Sequence, residues 1–281
     1  MKQAKILSEI KIYLQAVGYQ ELTQTNIYRG IESFLNWLAC PIKEVNMEVI
    51  KAYHQYLKER PNRIHGGGLS SRTISMQFWH IRVLFAYLER QGLVHKNPAS
   101  VYKLEKGSIN KRSILSQLEI KELYGVCKSP KDRLILDLFY GLALRRSEGQ
   151  ALNLGDIDLK NKLIYIKKAK QGGSRKLPLS SKIIVNIKAY LASRPASSSP
   201  ALMLNNYQKR MLGDSYLKRL KTLLSKTTIT KKIDLHCLRH SIASHLIINK
   251  MPIEQVRDYL GHRHIESTQN YIHYGHQDLS V

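Results

Sequence analysis

The chain has 281 residues, 43% of them hydrophobic and 23% charged, and a net charge of +24. That length holds one large domain or two ordinary ones, and that hydrophobic fraction belongs to a globular chain rather than a disordered one. The charge is far from ordinary: a chain this basic is built to meet a polyanion, and nucleic acid is the commonest one. The N-terminal run M-K-Q-A-K-I-L-S-E-I lacks an apolar signal core and no stretch approaches membrane-spanning length, so a cytoplasmic protein with no membrane partner is expected. Cys40, Cys127 and Cys237 are few, scattered and odd in number, which argues against a disulfide framework.

The charge is uneven. Residues 1–107 carry 15 Lys and Arg against 8 Asp and Glu, and residues 108–281 carry 30 against 13. No acidic residue lies between Asp158 and Asp214, so that span reads as a face turned towards phosphates.

In chain order, residues 1–107 read as an N-terminal helical domain of about four helices. Thr25–Ala39, Asn46–Glu59 and Ser71–Gln91 each space their apolar residues with a helical period. The last is clearest: Ile74, Phe78, Ile81, Phe85 and Leu88 form one stripe, Ser70 or Ser71 caps it and Gly92 ends it. Its other face offers Arg72, Gln77, His80 and Arg82 as candidate DNA contacts, against the plainer alternative of a solvated polar face. Glu105–Arg112 is polar, basic and without apolar pattern, a linker carrying Lys111 and Arg112 as further candidate contacts. Residues 108–281 form the second domain. Ser116 and Glu119 make a capping box that starts a helix; another runs from Lys131 to about Leu142. Asp156–Lys167 reads as short strands and Arg175–Leu179 as a returning strand, a β-hairpin whose basic tip carries Gly172-Gly173. Lys168, Lys170, Arg175 and Lys176 surround that tip, and Lys168, Arg175 and Lys176 are further candidate DNA contacts. Ser181–Arg194 and Asp214–Ser225 are two more amphipathic helices. His236 and Arg239, three apart, share a helix face, and Gly261 stops a short helix from Pro252 to Leu260 so that His262 projects beyond it. The expected fold is mainly α (α+β): a helical N-terminal domain and a helical C-terminal domain with one small antiparallel sheet.

Motifs in three separated stretches resemble the tyrosine recombinase, or phage integrase, family in its Xer-like two-domain layout. Ala143-Leu144-Arg145-Arg146-Ser147-Glu148 resembles the family's G-L-R-x-S-E, with Ala where Gly is usual. Lys170 to Leu179 resembles the hairpin K-G-x-x-x-R-x-x-P-L. His236-Cys237-Leu238-Arg239-His240, Leu260-Gly261-His262 and Thr268-Gln269-Asn270-Tyr271-Ile272-His273 resemble H-x-L-R-H, L-G-H and T-x-x-Y-x-H. The resemblance implies a core DNA-binding domain over residues 1–107 and a catalytic domain over 108–281. It implies Arg145, Lys170, His236, Arg239 and His262 as catalytic residues and Tyr271 as nucleophile, forming a 3′-phosphotyrosyl link and a free 5′-hydroxyl. Glu148 would buttress Arg145, and Arg146 would join the DNA contacts.

The chemistry fits such a set. Always-protonated arginines fork onto the non-bridging oxygens as charge builds there, histidines donate or shuttle protons near neutral pH, and a covalent intermediate splits one hard step into two. No ATP, metal or other cofactor is expected. His264, His273 and His276 lie near His262 in sequence, but their spacing does not match a closed metal site. The expected partner is double-stranded DNA with paired inverted-repeat sites, held by a homo- or hetero-tetramer on two DNA sites. The expected function is site-specific recombination (integration, excision or resolution). The rivals are relaxation like that of a type IB topoisomerase and a non-catalytic DNA-binding relative.

Overall fold

Capping residues and apolar spacing decide where the N-terminal helices begin and end. The computed structural model describes residues 3–62, 66–105, 113–167, 174–262 and 264–269, and the chain divides into two compact units, residues 1–110 and 111–281. Among the described residues of the first unit, the α-helices are α1 (Gln3–Ala16), α2 (Glu21–Trp37), α3 (Met47–Glu59) and α4 (Ser71–Arg90). Asn46 caps α3 by accepting the N–H groups of Glu48 and Val49 at 3.0 and 3.1 Å, and Ser70 caps α4 by accepting that of Thr73 at 3.2 Å. The start expected at Thr25 misses the first turn of α2, which has no side-chain cap to mark it. Ile10, Ile27, Ile31, Phe34, Tyr53, Phe78, Ile81, Phe85 and Leu88 are wholly buried among these helices.

This packing corrects the DNA contacts expected on α4. His80 is buried against α2, where only Gly30 leaves room: a Cβ there would lie 1.9 Å from His80 Nδ1. Among the described residues neither ring nitrogen has a hydrogen-bond partner, and burial pushes the His80 pKa down to about 4. Arg82 donates to the carbonyls of Ala99 and Tyr102 at 3.0 and 2.6 Å, tying down the segment after α4 instead of reaching outward. Gln77 is half-buried with its Oε1 enclosed, and Arg72 alone of the four is exposed.

His80 makes acid stability predictable. Its folded pKa lies below the unfolded value of about 6.5, so its contribution is complete above that pH and is lost as the pH falls towards about 4. The first unit is expected to lose roughly 3 kcal/mol more between pH 7 and 4 than a His80→Leu variant does. Denaturant titrations at both pH values check this, and an equal acid loss in the variant contradicts it.

The described helices of the second unit are α5 (Gln117–Gly125), α6 (Pro130–Leu136), α7 (Arg146–Ala151), α8 (Ser181–Ser193), α9 (Gly213–Leu224), α10 (Leu235–Ile248), α11 (Ile253–Leu260) and α12 (Glu266–Gln269). Both bonds of the Ser116–Glu119 capping box form, at 3.2 and 2.7 Å. The helix expected from Lys131 to Leu142 is not uniform: after Leu136 it widens into a π-helical turn, Asp137–Gly141. The buried Asp137 carboxylate there accepts from Tyr124 Oη at 2.8 Å and Asn186 Nδ2 at 2.7 Å. The chain leaves this turn at Ala143 with φ 50°, a left-handed conformation that costs a non-glycine residue roughly 1–2 kcal/mol.

Strands β1 (Ile157–Asp158), β2 (Leu163–Ile166) and β3 (Arg175–Pro178) form an antiparallel sheet in the order β1-β2-β3. The register pairs Ile164 with Leu177 and Ile166 with Arg175. Alternation puts Leu177 on the buried face and Lys176 outside, so Arg175, two residues before Leu177, starts on the inner face. The hairpin tip, with Lys168, Lys170 and Gly172-Gly173, lies outside the described residues, as do Lys111 and Arg112.

The span without acids is not wholly an outward face, as its composition suggested. Arg194 donates to the carbonyls of Ser199, Ala201 and Leu202 at 3.0, 2.9 and 3.3 Å. Arg210 donates to those of Gln150 and Leu152 and to Asn153 Oδ1, at 2.8, 3.1 and 2.6 Å. Both guanidiniums fasten backbone carbonyls around these loops instead of facing outward. Among the described residues, the chain is mainly helical with one small antiparallel sheet, and no helix is long and apolar enough to cross a membrane.

Candidate active site

Helix ends place most of the site. Asp234 caps α10 by accepting the Cys237 N–H at 2.8 Å, so His236 and Arg239 lie in its first turns on one face. At the other end of the motif, α11 stops in a Schellman turn: Gly261 has φ +65°, its N–H reaches the Asp258 carbonyl, and the His262 N–H reaches that of Arg257, both at 3.1 Å. Those bonds leave the next three carbonyls, of Tyr259, Leu260 and Gly261, needing donors. Three arginines supply them. Arg175 Nε donates to Tyr259 at 3.1 Å, Arg239 Nη2 to Leu260 at 2.6 Å and Arg145 Nη2 to Gly261 at 2.9 Å. Cations at a helix C-terminus are also favoured by its dipole.

The same three arginines surround Glu148. As the third residue of α7 it reaches back to the Arg145 N–H at 2.8 Å, the carboxylate half of a capping box. Its Oε1 also accepts from Arg145 Nη1 at 2.7 Å, and both its oxygens accept from Arg175 Nη1 and Nη2 at 3.0 Å. Arg239 Nη1 stands 3.9 Å from Oε2 and donates to the carbonyl of Ala143, the residue in the left-handed conformation. Burial alone would raise the Glu148 pKa. The Arg175 bonds and charge, then the Arg145 bonds, outweigh it and hold the carboxyl at about 2. Three guanidiniums against one carboxylate leave the cluster with two net positive charges.

His262 follows directly from the turn. It shares a 2.9 Å hydrogen bond between Nδ1 and the Thr268 hydroxyl, and burial followed by the charges of Arg239 and Arg145 pushes its pKa down to about 3. His236 is half-buried, its ring 5.6 Å from that of His240.

Of the expected catalytic residues, the structure therefore brings Arg145, Arg239 and His262 together, with His236 on the same helix as Arg239. Lys170 and Tyr271 lie outside the described residues. Arg175 is a correction: expected as a DNA contact, it is turned inward onto Glu148 with its side chain 9% exposed. Lys176 is exposed beside the Tyr165 ring, and the Arg146 side chain, half exposed, pairs with Asp214 at 2.7 Å. Sequence reasoning missed the roles of Thr268 and of the α11 carbonyls. The threonine was visible as the first letter of its motif, whereas backbone acceptors carry no sequence signal.

Residues 113–277 match the model of the phage integrase family, and residues 5–104 match that of the phage integrase SAM-like domain. The chain belongs to the phage integrase family. Within this family it is 31% identical over 233 residues to the tyrosine recombinase XerC of Pseudomonas fluorescens, covering 81% of this chain and 78% of that one. It is a tyrosine recombinase, an enzyme that breaks and rejoins DNA strands. Its fold is similar to that of the Tn1549 transposon integrase in complex with a circular intermediate DNA, with a TM-score of 0.81 at 18% identity over 95% of this chain and 94% of that one. A lambda integrase tetramer bound to a Holliday junction shares it too, with a TM-score of 0.75 at 15% identity over 94% of this chain and 78% of that one.

Proposed function

We propose that this tyrosine recombinase uses Tyr271 to attack a backbone phosphate of double-stranded DNA, leaving a 3′-phosphotyrosyl link and a free 5′-hydroxyl, and that the 5′-hydroxyl of a second strand then attacks that link and releases the tyrosine. The observation that carries this assignment is the meeting of Arg145 and Arg239 at one carboxylate with His262 close enough to feel both their charges, three residues drawn from separated motifs. A guanidinium has five N–H donors, and the cluster's two surplus positive charges suit a phosphate gaining negative charge in the transition state. Arg145, with its side chain 27% exposed, is the most open of the three arginines around Glu148. In this reading the Thr268 hydroxyl, 2.9 Å from Nδ1, donates to it, so that His262 carries its proton on Nε2 and donates from there to a phosphate oxygen. His236 supplies a second imidazole. Lys170, on the hairpin, protonates the departing 5′-oxygen.

In this reading residues 1–107 are the core DNA-binding domain and residues 108–281 the catalytic domain. Arg72, Lys111, Arg112, Arg146, Lys168 and Lys176 are the remaining candidate contacts to the backbone. The partner is duplex DNA with paired inverted-repeat sites, engaged by four subunits on two sites, and the protein works in the cytoplasm, where that DNA is reached. The lambda integrase tetramer on its junction supports this stoichiometry.

A plasmid carrying two copies of a duplex selected by binding tests the reading. Recombinant products are expected; relaxation without exchange would favour the topoisomerase-like alternative. Arginines and a lysine supply all the charge stabilisation in this scheme, so cleavage is expected to proceed at an unchanged rate in EDTA. A strict magnesium requirement would contradict it.

A further inference from the structure

We propose that Arg175 is a positioning residue for strand cleavage, holding Glu148 and the backbone ahead of His262 so that Arg145 and His262 meet the phosphate together. The inference rests on the tyrosine chemistry proposed above.

Three observations carry it. The first is engagement of all three guanidinium nitrogens. Arg175 uses Nη1 and Nη2 on the two oxygens of Glu148 and Nε on the Tyr259 carbonyl, with its side chain 9% exposed. The second is steric. Its guanidinium lies flat against Gly261, where a Cβ would meet Nη1 at 2.7 Å and Cδ at 2.9 Å, so the turn that aims His262 is shaped around this side chain. The third is connectivity. Glu148 and the Tyr259–Gly261 carbonyls are also the anchors of Arg145, through Nη1 and Nη2. Arg175 thus touches the same two supports as the phosphate-facing arginine, and does so from the first residue of β3, five residues after Lys170 in sequence. The hairpin strand, the Glu148 helix and the histidine turn are locked by one planar fork, which a lysine cannot reproduce because its three N–H donors radiate from a single nitrogen and do not span acceptors set this far apart.

A backbone contact and a positioning residue give different results in the full-length protein. On a selected duplex, Arg175→Lys and Arg175→Gln are expected to bind within about threefold of wild type, with the same dependence of log Kd on log salt. The single-turnover rate of covalent adduct formation should fall by at least about tenfold, measured well below each variant's melting midpoint, where a merely less stable protein keeps its rate. Weakened binding with a salt slope smaller by about one would return Arg175 to the DNA contacts and overturn the inference; so would an unchanged cleavage rate. A wild-type protein that forms no adduct would count against the tyrosine chemistry instead. In that case a double-mutant cycle of unfolding between Arg175→Gln and Glu148→Gln still decides: coupling above about tenfold in the unfolding constant supports the clamp, and its absence overturns it.

Discussion

Tyr271→Phe is expected to bind DNA like the wild type and to form no covalent adduct. The change removes one hydroxyl and keeps the ring. Affinity for duplex DNA comes mainly from neutralised phosphates, none of them contacted through that oxygen's nucleophilicity. The reaction, by contrast, has no other route to a phosphotyrosyl intermediate. A phenol with an ordinary pKa of about 10 needs its developing charge stabilised, and the arginine cluster has no nucleophile of its own to offer in exchange. Removing a nucleophile from a preassembled site costs at least roughly 10⁴-fold in rate in comparable covalent enzymes. Denaturing gels of protein incubated with labelled duplex read the result, and an adduct surviving the change would move the nucleophile elsewhere.

The second large effect belongs to Arg239. Its side chain is 3% exposed, donates to the carbonyls of Ala143 and Leu260 and stands 3.9 Å from Glu148. Arg239→Lys keeps the charge but cannot serve both carbonyls, one in the strained turn after the π-helix and one at the end of α11. One buried acceptor is left without a donor, at a cost of about 1–3 kcal/mol. Losing the fork on the phosphate costs about 3–4 kcal/mol more in the transition state, or roughly 10²–10³ in cleavage rate. The variant is therefore expected to cleave at least about a hundredfold more slowly at temperatures where it is fully folded. Its melting midpoint should fall by a few degrees, about 2–4 °C per kcal/mol for a unit of this size. A variant that melts early yet cleaves at the wild-type rate would reduce Arg239 to a structural tie.

How much of this could be read from the chain follows from what each residue's neighbours announce. The candidate arginines and histidines sit in motifs whose spacing also fixes helix starts and stops, so Gly261 and Glu148 come with them. A basic side chain is not for that reason an outward one. Arg175 precedes Leu177 and Leu179 at strand period, which already puts it on the buried face. His80 lies one helical turn before Leu84 and Arg82 one turn after Phe78, both wholly buried. Arg194 and Arg210 were counted towards a basic face, yet each fastens loop carbonyls. A guanidinium is the donor that reaches several such carbonyls at once, so arginines followed by irregular chain are as well suited to structure as to phosphate. The turn at Ala143 was legible only as an unusual residue in its motif; its φ of 50° and its carbonyl's bond to Arg239 depend on the widened turn before it, which no local pattern signals.

The claim beneath all of this is that one tyrosine near the carboxyl end takes over a DNA phosphate gripped by cations from distant parts of the chain. Digesting the trapped adduct with protease and nuclease, and sequencing the modified peptide by mass spectrometry, tests it most directly. A nucleotide joined through its 3′-phosphate to Tyr271 is expected, with a 5′-hydroxyl on the released strand. A nucleotide on any other side chain, or one joined through a 5′-phosphate, would contradict it.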